Sequence, residues 1–228
     1  MILLRCKFKK IDDICYISHL ETMKTIERAL RRANINLSFT QGFNPHPKMA
    51  FAQALSLGLE SYGEYMDVEI EDDLDEEVFI NKLNEQMPMG LVFIKAKKFK
   101  EKTKSLMSIV SHSRYIIEIK NINTKDIKSK INKYMKQEEI MIMKKTKKGK
   151  LKEIDIKKRI HSIDIVEVKD DLVVLNTILQ CSSEGNLKPS IFVSNMAQFI
   201  GLNEDYKMDV NRIDLYKNED GKIMPILD

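Results

Sequence analysis

The amino-acid sequence predicts an α+β fold made of two tandem domains, each with an antiparallel sheet. Three observations support this prediction. The 228 residues are enough for two compact domains of about 100 residues each. Hydrophobic residues make up 43% of the chain and charged residues 32%, a balance that can bury a core and excludes a disordered chain. Strand-like and helix-like patterns also follow one another twice in a similar order.

The first domain is predicted to span residues 1–98. Its first strand, Ile2 to Phe8, alternates apolar and polar residues. A helix begins at about His19, because Ser18 stands three residues before Glu21, the spacing of a helix cap. Further strands are predicted at 35–40, 65–70 and 91–97, and a second helix at 75–86. The resulting order, β-α-β-β-α-β, is typical of a ferredoxin-like (split β-α-β) domain.

The second domain is predicted to span residues 109–228 and to repeat this order. Residues 99–108 carry lysines but neither a helix stop nor a strand pattern, which indicates a linker. Strands are predicted at 114–120, 140–144, 166–168, 172–181 and 210–216, and helices at 124–135 and 190–200. Residues 151–160 fit neither pattern clearly. The predicted fold is therefore two tandem ferredoxin-like domains with antiparallel sheets.

Residues 41–48, Gln-Gly-Phe-Asn-Pro-His-Pro-Lys, are predicted to form a loop. Gly42 is expected to take a positive φ. The prolines on both sides of His46 restrict the backbone, which suits recognition or catalysis but equally fits a stiff connector. For Phe43, a core position and a base-stacking position both stay open.

The segment from Tyr16 to Ser61 combines Tyr-Ile-Ser-His-Leu-Glu, Glu-Arg-Ala-Leu-Arg-Arg-Ala and Gly-Phe-Asn-Pro-His-Pro. It resembles the radical-SAM-linked protein family, a bacterial domain of unknown function fused to or encoded beside a cobalamin-binding radical SAM protein. The resemblance covers residues 1–70 and implies a radical SAM protein as a partner. The cysteines at positions 6, 15 and 181 cannot form a radical SAM cluster motif. The resemblance therefore implies the linked domain and not the radical enzyme.

Charge is unevenly distributed along the chain. Residues 95–160 hold 22 Lys and Arg against seven Asp and Glu, whereas residues 61–94 hold one against ten. So large a local excess of positive charge favours a polyanionic partner such as RNA, which offsets the repulsion between the lysines. The alternative interpretation is a lysine-rich surface without a partner.

The candidate nucleic-acid-binding residues lie in three segments. The first helix places four cations within about 100° of one another, the loop adds polar and aromatic groups, and residues 144–150 indicate a basic hairpin turn. Arginine is favoured for phosphate because its planar guanidinium group binds two oxygens at once. The candidates are Lys24, Arg28, Arg31, Arg32, Gln41, Gly42, Phe43, Asn44, His46, Lys48, Lys144, Lys145, Lys147, Lys148 and Arg159.

His19 and His46 are the candidate catalytic residues. At the start of a helix, the macrodipole disfavours the imidazolium form, so His19 could serve as a general base, although its helical angle also fits a packing role. The sequence has neither the Gly-rich phosphate-binding motifs nor the Gly-x-Ser-x-Gly motif of hydrolases. Its histidines have no carboxylate at ligand spacing. We therefore expect no cofactor and no metal.

The predicted function is that of an RNA-binding accessory protein with a basic cleft between its two domains. Two alternatives stay open: a protein-interaction module that docks to a radical SAM enzyme, and a His-dependent nuclease or hydrolase. Whether the chain catalyses a reaction is not decided. No apolar run reaches the roughly 20 residues that span a bilayer, and the N-terminus lacks the order of a signal peptide. We expect a cytoplasmic protein without a membrane partner.

Overall fold

The structure is a computed structural model that describes residues 1–101, 103–145, 149–182, 184–203 and 205–227. It has a mixed α+β fold with a large, mostly antiparallel sheet and few helices, which confirms the predicted class. The chain divides into two compact units. Residues 1–111 and 212–228 form the first unit, and residues 112–211 form the second. Within the described residues, no helix is both long and apolar enough to cross a membrane.

The first unit is built on the order β-α-β-β-α-β. Its elements are β1 (Ile2–Lys10), α1 (His19–Arg32), β2 (Met49–Phe51), β3 (Glu60–Ile70), α2 (Glu76–Asn84), β4 (Leu91–Phe99) and the short α3 (Leu106–Ile109). β1 pairs with β4 on one side and with β3 on the other, and β2 pairs with β3, all antiparallel. The strand order is therefore β4-β1-β3-β2.

The core of the first unit lies between this sheet and its two longer helices. Alternate residues of β1, namely Leu4, Cys6 and Phe8, face the core, as the alternation predicts. They pack with buried side chains of α1 and α2, among them Ile26 and Phe79. Each such apolar side chain contributes about 1.5–3 kcal/mol when it is fully buried.

One predicted strand of the first unit is shorter than expected. Residues 35–40 form isolated bridges, Leu37 with Ile70 and Phe39 with Pro47, instead of a strand along the whole segment. The strand that pairs alongside β3 is β2, which follows the loop and not the turn after α1. The prediction missed β2 because only three residues of it pair, too few for an alternation to show in the sequence.

The second unit contains β5 (Val110–Lys120), α4 (Ile127–Met135), β6 (Met141–Lys145), β7 (Leu151–Asp155), β8 (Ile160–Lys169), β9 (Leu172–Gln180) and α5 (Pro189–Ile200). β10 (Lys207–Glu219) begins here and ends in the first unit, where it pairs with β11 (Lys222–Pro225). β9 pairs with β5 and β8, whereas β6 and β7 form a separate two-stranded sheet. The ambiguous segment 151–160 thus begins with the second strand of a hairpin.

The core of the second unit joins its sheet to α4 and α5. Ile131 of α4 and Phe192 of α5 are buried against β5 and β9. The Tyr134 hydroxyl donates a hydrogen bond to Oδ1 of Asn195 at 2.8 Å, and burial raises the pKa of this tyrosine. The side chain of Asn195 also donates to the carbonyl of Met141 at 3.2 Å. The first bond links α4 to α5, and the second holds α5 beside β6.

The observed units differ from the predicted division into residues 1–98 and 109–228, with 99–108 as a linker, in two respects. Residues 99–111 lie within the first unit, and α3 forms in the segment predicted as a linker. Residues 212–228 belong to the first unit. Arg212 pairs with Glu64 at 2.9 Å, and Asp214 pairs with Lys7 at 2.6 Å. Such pairing between distant parts of the chain depends on strand order, which local sequence patterns do not contain.

Candidate nucleic-acid interface

The four predicted cations of α1 are exposed, but three of them already contact other groups of the first unit. Lys24 pairs with Glu21 at 3.0 Å, and Arg31 pairs with Glu27 at 2.8 Å. The guanidinium of Arg32 donates to the carbonyl of Gln86 at 2.6 Å. Arg28 is exposed as well. The cationic side chains of α1 are therefore largely neutralised by carboxylates or engaged in hydrogen bonds within the protein.

The Gly42–Lys48 loop projects from the first unit. Residues 41–46, including Gln41, Asn44 and His46, are all exposed, and Gly42 has the expected positive φ of 125°. The base of the loop is closed by two hydrogen bonds, from the Thr40 N–H to the His46 carbonyl at 2.9 Å and from the His46 N–H to Oγ1 of Thr40 at 3.0 Å. Phe43 is fully exposed, so its expected alternative position in the core is wrong.

The base of the loop adjoins α1. The guanidinium of Arg31 lies 5.3 Å from the centre of the Phe39 ring, and Phe39 bridges to Pro47 at the base of the loop. Lys48 lies at the end of the loop and is engaged by a carboxylate of β3. Its ammonium group pairs with Glu69 at 2.8 Å because Lys48 leads into β2, which runs along β3.

His19 is in contact with the core of the first unit. Its ring lies edge-on to Phe51, with 5.3 Å between centroids, beside a small cavity that Lys10 and Glu64 also line. Burial lowers the pKa of His19; the carboxylate of Glu64 opposes this and the ammonium of Lys10 adds to it. These contacts fit the packing role, and they differ from those of His46 in the loop. The structure does not bring the two candidate catalytic histidines together.

The lysine hairpin, which we define as β6 and β7, carries exposed cations on the second unit. Lys144, Lys145, Lys150 and Lys152 are all exposed. Lys144 stands directly opposite Lys152 in the register of the two strands, an arrangement of like charges that destabilises a strand pair. Among the described residues of the second unit, the only ion pairs are those that Lys120 makes with Glu118 and Asp209. Lys147 and Lys148, also candidates, lie outside the described residues.

Arg159 lies outside the two strands of the hairpin and packs against another segment of the second unit. It ends a short 3-10 helix, Lys157–Arg159, and is half-buried. A Cβ atom added to Gly185 would lie 3.2 Å from its Nε atom and 2.9 Å from Oε1 of Gln180. The guanidinium of Arg159 therefore packs against the backbone at Gly185.

A groove that was not predicted from the sequence runs between β6 and α5. Its volume is about 490 Å³. It is lined by Met141, Ile142, Met143, Lys144, Ser190, Ile191, Ser194, Asn195 and Gln198. Three of these residues, Ser190, Ser194 and Gln198, recur every four positions and so share one face of α5. That spacing was the available signal, but the partner strand lies about 50 residues away in the sequence.

The part of the chain that the structure describes has no cluster of potential metal ligands. No group of three or more His, Cys, Asp or Glu side chains there is arranged to hold an ion. The cysteines at positions 6, 15 and 181 are buried thiols.

A family model described as an uncharacterised protein conserved in bacteria (DUF2344) matches residues 3–189. This chain belongs to that family. The description names neither a radical SAM nor a cobalamin-binding protein, so that link stays a prediction. No curated protein matches the chain.

Two solved structures resemble the DUF2344 chain. One is a chain of a Cbf5-Nop10-Gar1 complex, with 9% identity, a TM-score of 0.53, and coverage of 95% of this chain and 50% of that one. The other is a chain of an H/ACA RNP bound to a substrate RNA containing 2'-deoxyuridine, with 8% identity, a TM-score of 0.47, and coverage of 90% and 46%. The DUF2344 chain thus spans about half the length of each. The first likeness concerns the fold alone, and the second is too weak to support any inference.

Proposed function

We propose that this protein is an RNA-binding accessory protein whose lysine hairpin holds the RNA backbone. The observation that carries the proposal is the set of exposed hairpin lysines that no described carboxylate neutralises, with Lys144 directly opposite Lys152. Facing ammonium groups repel one another, and a row of phosphates offsets that repulsion while releasing condensed counterions.

The sequence around the hairpin strengthens this interpretation. Residues 141–160 contain nine Lys and Arg against two Asp and Glu. Helix α4, which packs next to α5, adds the exposed lysines Lys128 and Lys133, and the exposed Lys136 follows its last residue. Lysine suits a backbone track, since its flexible ammonium group contacts phosphates without selecting a base.

The proposal includes the fold of each unit. We propose that each unit is a ferredoxin-like domain, the second with the lysine hairpin inserted between its first helix and its next strand. The strand orders β4-β1-β3-β2 and β10-β5-β9-β8 support this, because both match the split β-α-β arrangement. The predicted basic cleft between the domains stays a prediction, and the proposal does not depend on it.

Fluorescence anisotropy with a labelled single-stranded RNA at 50 and 200 mM salt tests the function. Neutralising about five phosphates predicts a log–log salt slope of roughly −3.5. The double variant Lys144→Ala/Lys152→Ala should make the slope shallower by about 1.4. The matched control, Lys24→Ala/Arg31→Ala on α1, removes the same charge from two cations that already pair with glutamates and should leave the slope close to that of the wild type. Absence of RNA binding at 50 mM salt would reject the proposal.

A second candidate function is docking to a protein, for which the family resemblance implies a radical SAM partner. The observation in its favour is Phe43, which is fully exposed on a loop whose base is closed by hydrogen bonds. Calorimetry with the radical SAM protein encoded nearest the gene tests it. Phe43→Ala should abolish that binding and leave RNA binding unchanged. Equal binding by wild type and variant would exclude the loop as the docking surface.

A further inference from the structure

We infer that the groove between β6 and α5 takes an unstacked nucleobase, so that the protein selects single-stranded over double-stranded RNA. The inference rests on the proposed function, in which the lysine hairpin holds the RNA backbone. It adds a base-binding site next to the backbone track, and thereby names the class of RNA.

The groove has the size and position that a base requires. Its volume of about 490 Å³ lies within the range of roughly 300–1,000 Å³ typical of small-ligand sites. Lys144 belongs both to its lining and to the facing lysine pair of the hairpin. A phosphate bound at Lys144 therefore lies at the entrance of the groove. The base of the same nucleotide is then within reach of the groove.

The apolar part of the lining offers a surface for the face of a base. Met141, Met143 and Ile191 are 40%, 60% and 36% exposed, although all three are large apolar side chains. Methionine is flexible and polarisable, so it adapts to flat ligands of different outline. These side chains cover the base by van der Waals contact and do not depend on which base is present.

The polar part of the lining offers hydrogen bonds to the edge of a base. Ser190, Ser194 and Gln198 form a stripe along α5, opposite the face on which Phe192 and Met196 are buried. Their side-chain groups make no hydrogen bond to another residue in the described part of the chain. Two hydroxyls and an amide can both donate and accept, so they match the mixed donor and acceptor pattern of base edges.

The backbone of β6 adds further hydrogen-bonding groups to the groove. The carbonyl of Met141 points towards α5, since it accepts a hydrogen bond from Nδ2 of Asn195 at 3.2 Å. Strand groups alternate in direction with a period of two, so the N–H and C=O of Met143 also point into the groove. Asn195 is itself fixed by the Tyr134 hydroxyl at 2.8 Å, so this wall of the groove is held in place before a ligand binds.

A duplex cannot use this site. In an A-form helix the bases are stacked and paired, and a protein reads the shape and the backbone, whereas a single strand can turn a base outward into a pocket. One or two hydrogen bonds of ordinary net strength to the base edge, together with the apolar cover, are enough to change the affinity about tenfold.

Anisotropy titrations at 100 mM salt with a labelled 12-nucleotide single-stranded RNA, and with the duplex of the same sequence, test the inference. The wild type should bind the single strand about tenfold more tightly than the duplex. Ser194→Leu fills the groove without changing charge and should weaken single-strand binding about tenfold, while duplex binding and the salt slope stay the same. Ser129→Leu, the same change at an exposed position of α4 outside the groove, should behave as the wild type.

The outcomes separate the two proposals. Equal affinity for single strand and duplex, or an unchanged preference in Ser194→Leu, overturns the groove assignment and leaves backbone binding intact. Failure to bind either RNA at 50 mM salt removes the proposed function and the groove assignment with it. If thermal melting shows that Ser194→Leu is unfolded, Gln198→Ala decides instead, since loss of a side chain introduces no clash. A wild-type dimer that Ser194→Leu converts to a monomer in sedimentation would show that a second copy covers the groove, which also overturns the inference.

Discussion

The cations of α1 and those of the lysine hairpin differ in what already neutralises them. On α1, Lys24 and Arg31 each pair with a glutamate on the same helix. On the hairpin, Lys144 faces Lys152. Both sets are exposed and both are equally conspicuous in the sequence. The comparison teaches that an excess of cations in the sequence does not show which of them already have a partner within the protein, and under the proposed function the cations without one bind the RNA.

The composition of the two units explains the difference. The first unit contains 19 Lys and Arg against 20 Asp and Glu, and the second contains 19 against 14. In the first unit the carboxylates match the cations in number, and two of its ion pairs, Arg5–Asp67 and Arg212–Glu64, are buried. In the second unit the carboxylates are too few. Four predictions, from the largest expected effect to the smallest, test this contrast.

The strongest effect is expected for a buried ion pair of the first unit. Arg5 is 3% exposed and binds Asp67 through two hydrogen bonds of 2.8 and 2.9 Å. Asp67→Ala leaves the guanidinium buried without its carboxylate and should lower the free energy of unfolding by about 3–5 kcal/mol. Urea denaturation measures this. The hairpin variant Lys144→Ala serves as a control and should lose no stability; a loss below about 1 kcal/mol in Asp67→Ala would contradict the structural role of the pair.

A smaller effect is expected where α5 is held beside the hairpin. Tyr134→Phe removes the hydroxyl that bonds Asn195 and should cost about 0.5–1.5 kcal/mol of stability. Because Asn195 then loses its orientation, single-strand RNA binding should weaken more than duplex binding does. Urea denaturation and anisotropy measure the two effects. Loss of stability without any change in the single-strand preference would argue that Asn195 does not shape the groove.

The exposed cations of α1 should matter still less for stability. Arg28→Ala combined with Arg31→Ala is expected to change the unfolding free energy by about 0.5 kcal/mol or less per residue, since surface ion pairs contribute little. Thermal melting measures the change. RNA affinity should also stay close to that of the wild type. A clear loss of RNA binding here would shift the interface to α1 and reverse the comparison.

The smallest effect concerns pH. Burial lowers the pKa of His19 below its ordinary value of 6.5, so the unfolded chain takes up a proton there at a higher pH than the folded chain does. The contribution of His19 to stability is therefore present above pH 6.5 and is lost as the pH falls through the lowered pKa. His19→Asn should show a weaker decline of unfolding free energy between pH 7 and 5. An equally steep decline in the variant would place His19 outside the packed core.

Local signals in the sequence were sufficient for most of the elements. The cap at Ser18 is observed, with its Oγ atom accepting the Glu21 N–H at 3.2 Å, and alternation identified the core face of β1. The hairpin between β8 and β9 and the end of α5 at Gly201 also follow from residues close in sequence. Capping, alternation and turn chemistry act over a few residues, so they are legible without the fold.

The parts that could not be predicted depend on contacts between distant segments. The pairing of Lys48 with Glu69 follows from the register of β2 against β3. The groove needs β6 and α5 side by side, which the bonds of Asn195 secure. Leu20 of α1 is apolar but 66% exposed, because it lies about 100° from the line through Ile26 and Leu30, and only the packing of the helix against the sheet decides which apolar positions are covered.

The most direct test of the central claim is to map where RNA touches the chain. Ultraviolet cross-linking of the full-length protein to a single-stranded RNA, followed by mass spectrometry of the peptides, gives the contact segments without any mutation. The account predicts cross-links on peptides from residues 141–160 and from α5. Cross-links concentrated on α1 and on residues 41–48, with none on the lysine hairpin, would contradict it.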